Sequence, residues 1–525
     1  MTTGENDIVE AEPLLLDDTD SPLFDNENGP ESPAKPRHAW HATRFQAQKP
    51  STIVILLATL LFAVVLSGMM ILVPMFRLME DTLCHVHYQR DPSETIDERE
   101  CKVEEVQKQL TYLGGISAMI SSSVGLLASL PYGILADRIG RKPTFMLAYF
   151  GIILAFGWGP FIIAVVNPSH LYLVIFGPLL FLIGGGIPIA INSLTAMAAD
   201  VSTESEKATN FLYLSFGAVL GTLVGPVIAG LLLEKAGPWL PIRLVFAATP
   251  LIFFMLLFIP ETLPIKLQTG TTQQKQKPLR HSIREAYQEL KVSLALLKNP
   301  NLLLTLATFL IQPALFTAYS TTLTLYVSVY FSWTLAQTSY ILSPPLGILH
   351  LAIILVLPPI SNILTSVTGR FRLSVFSKDL LLAKISLLFV LIGALLEGFS
   401  QEIVLFIVGL TIGTFGSANS PLCRAVATAY VEPHQTSRLY ALISIMETSG
   451  AVIGGPVLAW CFNIGMSKHG LWKGLPWFYC AGLIFAALAL LMFVRHPENR
   501  ADSEYTEEDA ASEDGHGAEE ELIAV

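Results

Sequence analysis

The chain has 525 residues, of which 52% are hydrophobic and only 14% charged, where a soluble protein carries about 25% charged. The apolar residues are bunched into stretches long enough to cross a bilayer, about 20 residues as helix, and they leave no soluble segment large enough for a catalytic domain. The formal net charge of −11 belongs to the ends: residues 1–34 hold ten acids and no Lys or Arg, residues 498–525 hold eleven acids and one Arg, and the body between them is +9.

Residues 1–50 read as a disordered tail, rich in Pro, Ser and acids with little to bury. The tail contains Glu10-Ala11-Glu12-Pro13-Leu14-Leu15, which fits an acidic dileucine sorting pattern. That leaves the plasma membrane and a vacuolar or endosomal membrane both open. No cleavable signal is expected, because the first apolar run starts only at about residue 51. Twelve membrane helices follow, near 51–76, 109–136, 143–166, 171–199, 209–233, 243–260, 301–331, 338–365, 379–399, 402–430, 439–464 and 475–494. With both tails cytoplasmic, the inner loops carry Arg138, Arg141, Lys142, Lys207, Arg370, Arg372, Lys378 and Arg438. The opposite loops 167–170, 332–337 and 399–402 carry no Lys or Arg. Loop 77–107 falls on the outer side, its basic residues outnumbered by acids.

Between the second and third stretches runs Gly133-Ile134-Leu135-Ala136-Asp137-Arg138-Ile139-Gly140-Arg141-Lys142. Gly133 is expected to let two helices approach closely. Asp137 stands at a helix end, where a carboxylate can pair with a cation or cap a neighbouring helix. Arg138, Arg141 and Lys142 hold the turn on the cytoplasmic face. The run matches, with no departure, the G-x3-D-[RK]-x-G-[RK]-[RK] signature between the second and third helices of the major facilitator superfamily. The resemblance makes Gly133, Asp137, Arg138, Gly140, Arg141 and Lys142 a conformational latch.

Segment 264–299 divides the chain. It opens polar, then runs from Arg280 as an amphipathic helix with Ile283, Tyr287, Leu290 and Leu294 at helical spacing. Its seven Lys and Arg against two Glu suit anionic headgroups. The stretches on either side echo each other. Gly221-x3-Gly225-Pro226-Val227-x-Ala229 reappears as Ala451-x3-Gly455-Pro456-Val457-x-Ala459. Gly186 with Asn192-Ser193 reappears as Gly413 with Asn419-Ser420, and Pro260-Glu261 as Pro497-Glu498. Each pair occupies the matching helix of its half. The expected architecture is therefore an all-α membrane protein of two pseudo-symmetric six-helix bundles, residues 51–263 and 300–497, joined by linker 264–299 and ending in a disordered acidic tail, 498–525.

Over about residues 51–498 the chain resembles twelve-helix drug:proton antiporters of that superfamily. Within them it looks like fungal-type members akin to the tetracycline-resistance and proton-coupled folate transporter branch. The fifth helix carries Gly221-x3-Gly225-Pro226-x2-Ala229-Gly230, close to the antiporter motif G-x3-G-P-x2-G-G, with Ala229 replacing one Gly. Such spacing puts small residues on one face and a kink at Pro226. Where these antiporters usually carry an Arg four residues before a Gly-x-Gly, this chain has Leu180 before Gly184 and Gly186. Proton coupling must then run through another residue, or the protein couples differently.

Ionisable groups inside the membrane are the first place to look for function, because charge in hydrocarbon is costly. Glu447 lies nine residues beyond Arg438 in the eleventh helix, about 13 Å at the helical rise, and is the leading proton-coupling candidate, with His350 in the eighth helix second. Arg424 in the tenth is either its partner or an anion contact. Asn192, Gln312, Tyr319, Asn419 and Arg424 are candidates to line a substrate cavity, although interhelical hydrogen bonding is the commoner use of such residues. Glu397 lies close enough to the outer face to be expected simply solvated, and Asp379 to belong to the inner loop.

Cys84 and Cys101 share the outer loop and are expected to form a disulfide. No metal site, cofactor or nucleic-acid partner is expected, and no phosphate-binding Gly/Lys/Ser loop is present for an ATP-driven pump. The expected partners are the lipid bilayer, protons and a small-molecule substrate, with the chain acting as a monomer and not as an enzyme. Three functions fit: proton-coupled efflux of small amphipathic molecules such as drugs or secondary metabolites, proton-coupled import of an anionic nutrient, and ligand sensing without transport.

Overall fold

The computed structural model describes residues 45–496 apart from 92–93, 95, 203–206, 263–296, 366–373, 432–435 and 469. The two tails and nearly all of linker 264–299, including its expected amphipathic helix, lie outside the described residues. Twelve helices among those described are long and apolar enough to cross a membrane. They are α1 (Pro50–Tyr88), α2 (Glu104–Ile139), α3 (Arg141–Val165), α4 (His170–Val201), α5 (Lys207–Ala236), α6 (Trp239–Leu257), α7 (Pro300–Phe331), α8 (Leu335–Thr365), α9 (Val375–Phe399), α10 (Ile403–Thr428), α11 (Thr436–Ser467) and α12 (Gly470–Met492). One end of the molecule carries the Cys84–Cys101 bridge and the other the 133–142 turn; we call them the disulfide end and the signature end.

Helix α1 runs twelve residues past the expected boundary at 76. Arg77, Glu80 and Asp81 do not end it because their charges are met locally. Glu80, with no exposed surface, accepts hydrogen bonds from Lys102 Nζ at 2.6 Å, Gln107 Nε2 at 2.5 Å and Arg77 at 3.2 Å. Helix α9 likewise starts early, at Val375, which puts Asp379 inside the helix, beside Lys378 Nζ at 3.2 Å, instead of in the loop.

The repeated motifs pack in parallel ways. On α5, the Cβ directions of Gly217, Gly221 and Gly225 point at the α1 backbone around Ala58, Phe62 and Leu66, while that of Gly230 points at Ala336 of α8. On α11, those of Gly450 and Gly454 meet Leu310 and Ala314 of α7, while Ala459 meets Gly115 of α2. Each motif helix thus clasps a helix of its own half along one face and a helix of the other half along the next.

Helices α4 and α10 are both broken at matching places. In α4 the chain runs in tight turns to Leu182, then passes through Gly184, Gly185 and Gly186, all at positive φ (+88°, +83° and +68°), before regular helix resumes. In α10 regular helix stops at Thr414 and restarts at Asn419. The breaks let α4 lie against α3, where a Cβ on Gly184 would stand 2.4 Å from the Ala148 nitrogen, and α10 against α9, where Gly393 faces Gly413. Broken helices at corresponding positions of two repeats are the expected surroundings of a transport site.

One apolar core runs through the last six helices and continues into the disulfide-end parts of the first six, through Met79 and Leu83 on α1, Val106 and Leu110 on α2, and Leu233 on α5. A second, separate core lies within the first half, around Leu57, Phe145, Ile189 and Leu194. The two halves therefore share an interior toward the disulfide end. Gly133 does not provide the expected close approach: a Cβ there would meet nothing within 4 Å. It lies far along α2 from Gly115 and Ala118, where that helix meets α11.

Candidate functional site

Four of the candidate residues, Gln312, Asn419, Arg424 and Glu447, lie where α7, α10 and α11 meet. Arg424 on α10 donates to Glu447 Oε1 on α11 at 2.5 Å, and its guanidinium sits 5.4 Å from the centre of the Phe309 ring on α7. The pair is not sealed: 34% of the Arg424 side chain and 28% of Glu447 remain accessible. Glu447 lies eleven residues, about 16 Å, along α11 from its start. Nearby, Gln312 Nε2 on α7 donates to Asn419 Oδ1 on α10 at 2.5 Å, across the α10 break. His350 on α8 is half-buried, with no hydrogen-bond partner among the described residues. Asn192 on α4 is exposed. The structure thus joins Arg424 to Glu447 and Gln312 to Asn419, and leaves His350 and Asn192 apart.

Tyr319 belongs to a different cluster. It donates to Glu397 of α9 at 3.1 and 3.4 Å, and Glu397 has no exposed surface at all. The expectation that Glu397 is solvated is overturned. The residue is two positions from the end of α9, but Tyr319 covers it, and Gly409 and Gly413 of α10 leave it room. Its signal in the sequence was being the one acid of the apolar run 380–399.

At the signature end, Gly140 takes φ +110°, a conformation that favours glycine. Its vacant side-chain position is filled by Glu261, whose carboxylate accepts from the backbone nitrogens of Arg141 at 2.9 Å and Lys142 at 3.1 Å. Glu261 therefore caps α3 with a negative charge at the helix N-terminus. Lys142 Nζ donates to the Ile259 carbonyl at 2.8 Å, and Arg141 Nε lies 3.6 Å from Asp200. The signature turn is thus tied to the ends of α4 and α6. The Asp137 side chain lies outside the described ones. Sequence reasoning noticed Glu261 only as half of a repeated Pro-Glu pair.

At the disulfide end, Cys84 and Cys101 are bonded. Glu98, in the loop they close, accepts from Lys102 Nζ at 3.1 Å and from the Leu335 backbone nitrogen, the first of α8, at 2.8 Å, and lies 3.6 Å from Arg77. One acid thus straps the first half to the second. Nothing in the sequence singled it out among the many acids of that loop.

The sequence profile of the Major Facilitator Superfamily matches residues 103–414 and 376–519. The chain belongs to the major facilitator superfamily. Among curated relatives of this superfamily, the chain is similar to the MFS efflux pump atnC of Emericella nidulans, at 24% identity over 494 residues that cover 90% of this chain and 94% of that protein. It is also similar to the MFS-type transporter aprT of Aspergillus flavus, at 27% identity covering 86% of this chain and 90% of that one. Among solved structures, a D-xylose-proton symporter shares the fold, with a TM-score of 0.57 at 14% identity, over 85% of this chain and 98% of that one. The protein is an integral, multi-pass superfamily transporter with the twelve-helix facilitator fold and a small-molecule substrate.

Proposed function

We propose that this transporter is a proton-coupled exporter of small amphipathic molecules, working by alternating access, with Glu447 as its proton site. The observation that carries the reading is the accessible Arg424–Glu447 pair inside the membrane body. A proton on Glu447 removes the charge that holds Arg424, and ionised Glu447 restores it. A substrate that binds beside the pair then competes with the proton for the same electrostatics, which is what an exchanger needs.

Direction rests on two supports. The α5–α8 and α2–α11 contacts close the disulfide end, and the basic residues of the signature turn favour the cytoplasm for the other end. The relative atnC is named an efflux pump. The signature turn, held by Glu261, acts as the latch that must rearrange when the halves rock, with Asp137 as its other charged member. The six-helix division at 264–299 and the cytoplasmic tails belong to the same proposal.

A second reading, import of an anionic molecule, is favoured by one observation: Arg424 itself keeps a third of its side chain accessible and can meet a carboxylate directly. Purified transporter in liposomes decides between them. With an imposed pH gradient, export predicts substrate movement opposite to the proton, import predicts movement with it, and a pure sensor predicts binding without flux. The panel should pair lipophilic cations and neutral amphiphiles with organic anions.

A further inference from the structure

We propose that Glu397 is a second proton-binding site of the transport cycle, closed by Tyr319 in this arrangement and exposed when that part of α7 moves. The inference rests on the proton-coupled reading above and assigns a different group to a different part of the pathway.

The geometry is that of a carboxyl group enclosed without a counter-charge. Glu397 is fully buried, and no Lys, Arg or His among the described residues lies within ion-pair distance of it. From α7 the titratable groups facing it are Tyr319 and Tyr326, and from α12 Cys480. From α10 Gly409 and Gly413 face it. Lys473, in the turn where Gly474 packs on Gly398, lies over the Tyr330 ring at 5.6 Å instead. An ionised carboxylate can accept about four hydrogen bonds, and here a single phenol serves both oxygens. A buried charge so poorly compensated is expensive, so the enclosed arrangement suits the carboxylic acid.

Two features make the enclosure releasable. Tyr319 stands in Ala318–Thr322, where α7 widens into a π-type turn, having already tightened over Thr308–Leu310. Such interruptions often mark functional positions in a helix. The indole N–H of Trp477, whose ring is 5.5 Å from that of Tyr319, is buried and has no partner among the described residues. A shift of α7 that admits water gives that donor and Tyr319 a carboxylate to serve. Because Glu397 is two residues from the disulfide-end terminus of α9, it exchanges its proton with water on that side when the two halves part there. The balance is one proton given to water when α7 moves and Glu397 ionises, and one taken back from water as Tyr319 closes over the acid, with no other reactant.

The test uses the full-length transporter in proteoliposomes. Wild type must first be driven by a pH gradient; if it is not, the proton-coupled reading falls and this inference falls with it. If it is, Glu397→Gln should keep substrate exchange at equal pH but lose pH-driven accumulation about tenfold or more. Infrared difference spectra between acidic and alkaline pH should lose a carboxylic-acid carbonyl band in Glu397→Gln that Glu447→Gln retains. Should Glu397→Gln fail to reach the membrane, Tyr319→Phe decides. It keeps the acid, so the band should persist but shift in frequency with its hydrogen bond removed. Full pH-driven accumulation in Glu397→Gln, or a band indifferent to both substitutions, would overturn the proposal.

Discussion

Gly230 of α5 lies so close beneath α8 that a Cβ on it would stand 2.8 Å from the Ala336 carbonyl oxygen, and Gly115 of α2 stands in the same relation to Ala459 of α11, at 2.9 Å. These two contacts bring the halves together at matching points of the repeat. The small residues of the motif helices are therefore not interchangeable. Those facing α1 and α7 hold each half together, while those facing α8 and α2 join one half to the other at the disulfide end.

Gly230→Val should accordingly favour the state in which that end is open. Overpacking of this kind costs about 1–3 kcal/mol, and it falls on one access state only. Maleimide labelling of a cysteine placed at Ser339, 3% exposed in this structure, should become faster and transport slower. Unchanged labelling would mean that the α5–α8 contact does not open.

Glu98→Ala should act in the same direction by removing the strap. The residue accepts from the Leu335 nitrogen at 2.8 Å, and a charge-assisted hydrogen bond contributes about 1.5–3 kcal/mol. Its loss should raise labelling at Ser339→Cys without loss of membrane insertion. Glu98→Gln, which keeps an acceptor for the Leu335 N–H, should be milder.

Cleaving Cys84–Cys101 removes a bridge of sequence separation 17, for which unfolded-chain entropy gives about 3 kcal/mol of stabilisation. Cys84→Ser should lower the melting temperature of the purified protein and leave Glu80 with a loosened Lys102 and Gln107. Equal melting temperatures would show that the ion network alone holds the loop.

At the signature end, Glu261→Ala removes the cap of α3 and should cost about 0.5–2 kcal/mol. Asp137→Ala should reduce transport while leaving insertion intact. Wild-type transport kinetics in both variants would show that this turn is not a latch.

The helices were legible because twenty apolar residues have few other fates, and the repeat was legible because Gly and Pro carry backbone geometry in their identity. Cys84 and Cys101 were legible as the two cysteines of one loop. What escaped was partnership. Glu397 looked peripheral because its position along α9 says nothing of Tyr319, 78 residues away, or of the glycines on α10 that make its pocket. Glu98 looked like any acid of its loop until α8 supplied a backbone donor 237 residues on. Arg424 and Glu447 could be matched as charges at similar depth, but their accessible placement beside Phe309 comes from the packing of three helices.

The most direct test of proton coupling is pH-driven transport by Glu447→Gln in proteoliposomes beside wild type. The amide mimics the protonated acid and frees Arg424, so the variant should bind substrate and exchange it at equal pH, yet fail to move it against a gradient when a pH difference is imposed. If Glu447→Gln concentrates substrate as well as wild type, with the same pH dependence, Glu447 is a structural partner of Arg424 and the account of coupling through that pair is wrong.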